Sequence, residues 1–177
     1  MAVGTPLGVV VRGMLAGVAG TLAMDALLYA RYRRGGGNEG FFSWESAAAV
    51  QDWKDAPAPA QVGRRLVEGL FQRELPARHA RLTNNITHWA YGALAGGTYA
   101  LFAGSARRPR IGYGVPFGAG LWGAGYVVLP AAGLYRPISE YDRVTLTKDL
   151  TAHLLYGLTT ATVFTILQPT GHVSPGH

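Results

Sequence analysis

The chain has 177 residues, of which 15% are Asp, Glu, Lys or Arg, against roughly 25% in soluble domains. Its 16 basic and 10 acidic side chains leave a formal net charge of +6; Gly contributes 25 residues and Cys none. The lack of cysteine excludes a disulfide scaffold, a cysteine zinc site, an iron–sulfur cluster and a thiol nucleophile, and the length suits one compact unit.

Few charges, abundant Gly and a mean hydropathy of +0.12 point to a membrane protein, because bilayer helices tolerate Gly better than aqueous ones do. The first apolar stretch, Pro6 to Ala30, is interrupted only by Arg12 and Asp25. Small residues around Gly20 to Ala23 would suit a cleaved signal peptide. The order of features is the reverse of one, with Arg12 inside the apolar run and the basic Arg31, Arg33 and Arg34 after it. A retained span is the expectation.

Residues 31–82 form an interfacial loop region. It opens on the flexible Gly35-Gly36-Gly37, and Ser43 to Trp53 reads as one short helix that the Pro57 and Pro59 stretch breaks. From Gln61 to Leu75, Val62, Leu66, Val67, Leu70 and Phe71 share one helical face, while Arg64, Arg65, Glu68, Gln72 and Arg73 occupy the other. Such a helix lies in the headgroup region with its apolar side down, or else caps the bundle. Phe41, Phe42, Trp44 and Trp53 suit an interfacial aromatic layer.

Three further uncharged runs follow: Leu82 to Ala106, Ile111 to Tyr135 and Leu150 to Leu167. About 20 helical residues cross a hydrocarbon core of about 30 Å, so spans are expected at about 6–30, 83–106, 111–135 and 150–168. The whole chain then reads as a single integral membrane domain. The fold class is all-α: a four-helix transmembrane bundle, two helix hairpins, with an amphipathic, partly helical first loop. Of the basic residues, 12 fall in the first and third loops and four in Arg12 and the Arg107-Arg108-Pro109-Arg110 turn. The six acids of the first loop offset that excess, and both orientations stay open. The net charge fits anionic headgroups, and no recognition motif points to nucleic acid.

The second and fourth spans open alike, with His88-x-x-Tyr91-Gly92 and His153-x-x-Tyr156-Gly157. If spans alternate in direction, both histidines approach the same membrane face. Asp25, near the end of the first span, lies at a matching depth, all three groups roughly 5–9 Å below the interface at about 1.5 Å per residue. Each tops a stripe of small residues at i, i+4 spacing: Gly13, Gly17, Thr21 and Asp25; His88, Gly92, Gly96 and Ala100; His153, Gly157 and Ala161. Such stripes mark close helix–helix contact in bilayers.

An Asp at the centre of a bilayer helix costs about 2.5–3.5 kcal/mol, so Asp25 calls for a partner, and His88 and His153 are the obvious ones. Tyr91, Tyr156, Asn84, Asn85 and Thr87 surround them, with Glu140, Asp142, Lys148 and Asp149 nearby in the third loop. Four readings fit the cluster. It locks the bundle as a hydrogen-bond network; it is a proton or ion site; it is a metal site of Asp25, His88 and His153; or the two histidines hold a haem. No phosphate-binding Gly loop or nucleophile elbow is present, so hydrolase chemistry has no support and an enzyme is not expected.

The order of these features resembles the YagU-like inner-membrane proteins of bacteria, a family without an assigned activity. The residues carrying the likeness are Thr87-His88, the basic turn, Leu129-Pro130-Ala131-Ala132-Gly133-Leu134, Pro137 and Ala152-His153-Leu154. The resemblance implies a multi-pass protein of the bacterial inner membrane. The functional expectation is a transport or proton-responsive protein centred on Asp25, His88 and His153. The alternative is a structural or interaction subunit that dimerises through Gly-rich faces.

Overall fold

A computed structural model describes residues 5–105 and 110–168. Among these the chain is helical with no strand, and six α-helices are formed: α1 (Pro6–Arg34), α2 (Phe41–Glu45), α3 (Ala58–Phe71), α4 (Ala80–Gly104), α5 (Gly114–Ala131) and α6 (Arg143–Ile166). Each of the four long helices covers one of the four apolar runs; α1 continues through Arg31, Arg33 and Arg34, and α6 begins at Arg143, seven residues before the expected start. Arg110 apart, the basic turn lies outside the described residues.

Local chemistry sets the helix ends. Thr5 accepts the Gly8 amide at 3.2 Å and Pro6 takes the first helical position of α1, where its missing N–H costs nothing. Arg31, Arg33 and Arg34 sit in the last turn, where cations suit the negative end of the helix. The reversal that follows needs Gly36, whose φ is +95°. Asp142 caps α6 by accepting the Val144 and Thr145 amides.

Two sequence expectations are corrected here. The helix expected over Ser43 to Trp53 is shorter and earlier, ending at Glu45, because the chain turns through Ala47 at a φ of 48°. The amphipathic helix begins at Ala58 and stops at Phe71, where Gln72 adopts a left-handed conformation.

Small residues govern packing. α1 runs antiparallel to α4: a Cβ added at Gly13 or Gly17 would come under 3.0 Å from the Gly96 or Gly92 backbone. α5 runs antiparallel to α6 in the same way, Gly114 and Gly118 lying against the backbones of Gly157 and His153. These are the two expected hairpins. Gly20 against Tyr156 and Thr160, with Arg31 reaching Lys148 and Thr151, makes α1 antiparallel to α6 as well, so α4 and α6 run parallel. Ala16, Tyr99, Ala100, Ala103, Ala161 and Phe164 form the core where α1, α4 and α6 meet.

The distribution of apolar residues is inverted relative to a water-soluble protein. Among the described residues the buried apolar side chains are Ala, Tyr and Phe, and no Leu, Ile, Val or Met is buried. Leu7, Leu15, Leu94, Phe102, Val127 and Ile166 instead stand exposed on the outer faces of the long helices. Aqueous folding buries such residues first. By length and composition α1 is the one described helix apolar enough to cross a membrane, a property shared by signal sequences and by soluble core helices. Only 28% of its most apolar stretch is buried, however, unlike a soluble core helix. Gly, Thr, Tyr, Trp and His dilute the apolar character of α4, α5 and α6.

Candidate functional site

Asp25 lies two turns before the end of α1, one turn beyond Thr21, whose side chain covers Gly92. The antiparallel register brings it opposite His88 of α4, and Oδ2 of Asp25 meets Nε2 of His88 at 2.9 Å. The Asp25 side chain is 4% exposed and that of His88 29%. This pairing was legible from the sequence.

Glu45 completes the site and was missed. Its carboxylate, the Asp25 carboxylate and a His88 ring nitrogen offer three ligand atoms within 4.8 Å of one another. Two supports carry Glu45 there. On the α1 side, Tyr29 packs on Phe41 at 5.2 Å and on Trp44 at 5.5 Å between ring centres, and Tyr32 stacks beside Trp44. On the α4 side, Arg81 Nε and Asn85 Nδ2 donate to the carbonyl of Ser46, at 2.9 and 3.0 Å. Short α2 is thus held between α1 and α4 with its last residue over the Asp25–His88 pair. Burial, and then the adjacent Asp25 carboxylate, push the Glu45 carboxyl above its usual range, with His88 pulling the other way. Glu45 Oε1 is buried and has no hydrogen-bond partner among the described residues. The only sequence signal was an acid one position from a Trp that suits the interface.

His153 does not join the cluster. Its Nδ1 donates to the Asp149 carbonyl at 3.0 Å and lies 3.3 Å from the Asp149 carboxylate, one turn back on the same helix. The levels agree as expected, since Arg31 reaches the Lys148 carbonyl and Thr151 while Gly20 meets Tyr156 and Thr160. The direction differs. The His153–Gly157 face of α6 packs on α5, and the face turned to α1 carries Tyr156 and Thr160. A small-residue stripe at i, i+4 drifts by about 40° per step, so Ala161 reaches the core while His153 does not.

The repeat explains the difference further. Gly92 and Gly157 are equivalent close contacts within their hairpins, as are Gly17 and Gly114. In that register Asn84 corresponds to Asp149 and Asp25 to Trp122. One hairpin supplies the acid from the facing helix and the other from the histidine's own helix.

The remaining expected members also separate. Tyr91 is 56% exposed and is not one of the groups gathered with Asp25, Glu45 and His88. Tyr156 is buried, and its hydroxyl donates to the Gly92 carbonyl at 2.6 Å, tying α6 to α4. With that bond between the helices and the two histidines committed to different acids, the bis-histidine haem pairing is not formed. The metal set of Asp25, His88 and His153 is likewise not assembled; Glu45 stands in the place expected for His153.

Compared with known proteins, the chain matches no protein-family model, no curated protein and no solved structure.

Proposed function

We propose that this chain is a small multi-span membrane protein of the transport class, with Asp25, His88 and Glu45 as a cation-binding centre near one end of its bundle. The observation that carries the reading is a carboxylate 3% exposed, paired across helices with a histidine, in a bundle that buries Ala, Gly, Tyr and Phe but no Leu, Ile or Val among the described residues. A group so costly to desolvate in an apolar surround is kept where it has a use or a permanent partner. The outward faces of α1, α4 and α5, with their exposed Leu, Ile, Val and Phe, suit lipid. The resemblance to YagU-like proteins supports the bacterial inner membrane as the location.

The test has two stages. The protein should stay with membranes on alkaline extraction, and release into the supernatant would end the membrane reading. Reconstituted in vesicles, it should pass a cation, proton or metal ion, and Asp25→Asn should abolish that flux while the protein inserts normally. A flux unchanged in Asp25→Asn would remove the cluster as the centre.

A structural role is the second reading, and α5 favours it. A Cβ at Gly120 or Gly123, neighbours one turn apart on α5, would meet nothing within 4 Å, so this small-residue face is open to close approach by a second copy.

A further inference from the structure

We propose that Asp25, Glu45 and His88 form a binding site for a divalent transition-metal ion of the zinc, manganese or cobalt class. The inference rests on the reading of this cluster as a cation centre and names the cation.

The geometry comes first. The three donors come from three separate elements, α1, α2 and α4, and their ligand atoms lie within 4.8 Å of one another. An ion with bonds of about 2.0–2.2 Å would hold its donors roughly 3–3.5 Å apart, so the Asp25–His88 pair at 2.9 Å would open slightly and the more widely spaced donors would close in. In the deprotonated form that metal ligation requires, the two carboxylates with a neutral imidazole carry a formal charge of −2, which a divalent ion cancels. The donor chemistry narrows the choice. Calcium and magnesium take oxygen ligands almost exclusively, whereas an imidazole beside two carboxylates suits first-row transition metals.

Glu45 carries the strongest independent pointer. Its Oε1 is buried without a hydrogen-bond partner among the described residues, beside a second carboxylate that is nearly fully buried. An unpaired buried carboxylate oxygen costs free energy that a cation at this point would recover. The site also has supports outside the donors. The aromatic packing of Tyr29 and Tyr32 on Trp44, and the Arg81 and Asn85 bonds to Ser46, hold α2 in place over the pair. Asp25 is inaccessible, while His88 and Glu45 are partly exposed, so an ion would enter past those two.

Cobalt(II) alone is a suitable probe, because its visible d–d bands report donor number and type. Detergent-purified protein should bind close to one equivalent, with bands typical of nitrogen and oxygen donors. Glu45→Gln lies on a half-buried surface helix and should fold normally while weakening binding by at least about tenfold, the scale on which even supporting residues act. Asp25→Asn and His88→Gln should do the same, with circular dichroism and size-exclusion profiles recording their folding. His153→Gln, and a variant lacking His172 and His177, should bind as the wild type does. Equal affinity in wild type and Glu45→Gln would overturn the assignment, as would loss of binding only when the C-terminal histidines are removed. Failure of cobalt, zinc and manganese to bind at all would also overturn it. Proton flux that is lost in Asp25→Asn would then still stand for the broader reading, so the two failures are distinguishable.

Discussion

Asp25 and His88, 63 residues apart in the chain, meet at 2.9 Å across the contact of α1 with α4, and the acid is the more deeply buried of the two. Their unequal burial predicts unequal costs. Removing His88 leaves a buried carboxylate without its partner, a loss of about 3–5 kcal/mol by analogy with broken buried pairs. Asp25→Asn leaves a part-exposed imidazole that water still reaches, and should cost less. In a double-mutant cycle followed by thermal unfolding in detergent, the double variant should lose less than the sum of the singles. Additive losses would show that the pair is not coupled.

Close backbone approach sets a second expectation. A methyl group at Gly96 would come under 3.0 Å from Gly13 and Gly17 backbone atoms, and neither can yield without separating α1 from α4. Gly96→Ala should therefore destabilise by about 1–3 kcal/mol or more. Gly120→Ala meets nothing within 4 Å and should be neutral, or stabilising by up to about 1 kcal/mol through helix propensity. Parallel melting curves would check the contrast, and equal effects would contradict the packing.

Tyr156 ties the second hairpin to the first through a single buried hydrogen bond to the Gly92 carbonyl. Tyr156→Phe keeps the ring and removes the donor, so the expected loss is about 0.5–1.5 kcal/mol. Chemical denaturation of the two proteins side by side measures it. A Phe variant of full stability would mean that the carbonyl finds another donor.

Acid should loosen the start of α6. The Asp142 carboxyl is held below its usual range, first by the Thr145 hydroxyl and then by the Thr145 and Val144 amides. A lowered folded-state value means that the cap stabilises the helix above the ordinary Asp range and is lost as pH falls through the folded value. The difference in melting temperature between wild type and Asp142→Ala should therefore be constant near neutrality and shrink below about pH 4. A gap that widened in acid would reverse the assignment.

The surface helix α3 packs on α4 through Ala60 and Gly63 while leaving Leu66, Leu70 and Phe71 exposed beside the contact. In the proposed membrane setting these large side chains would sit in the interface rather than face water. The chain has no native cysteine, so single spin labels are simple to place. A label at Leu70 should be relaxed more by oxygen than by an aqueous nickel chelate, and one at Arg65 the reverse. The same aqueous accessibility at both positions would place the helix outside the interface.

Much of the architecture can be read directly from the pattern of residues. Long runs with few charges, bounded by Arg, Asp and Pro, mark the long helices, because an apolar segment has to satisfy its own backbone and a helix does so locally. The meeting of Asp25 with His88 follows from two small-residue stripes that mate. The loss of His153 from that group does not, since nothing along α6 states which neighbour each face will meet. The slow rotation of an i, i+4 stripe carries Ala161 into the core and leaves His153 against α5.

Glu45 was beyond reach for a different reason. Its position depends on aromatic contacts with α1 and on hydrogen bonds from Arg81 and Asn85 of α4, groups far from it in sequence. Local periodicity governs where a helix begins, ends and turns its small residues. The company a side chain keeps is set by rigid packing between elements, where a rotation of one residue's worth exchanges one partner for another.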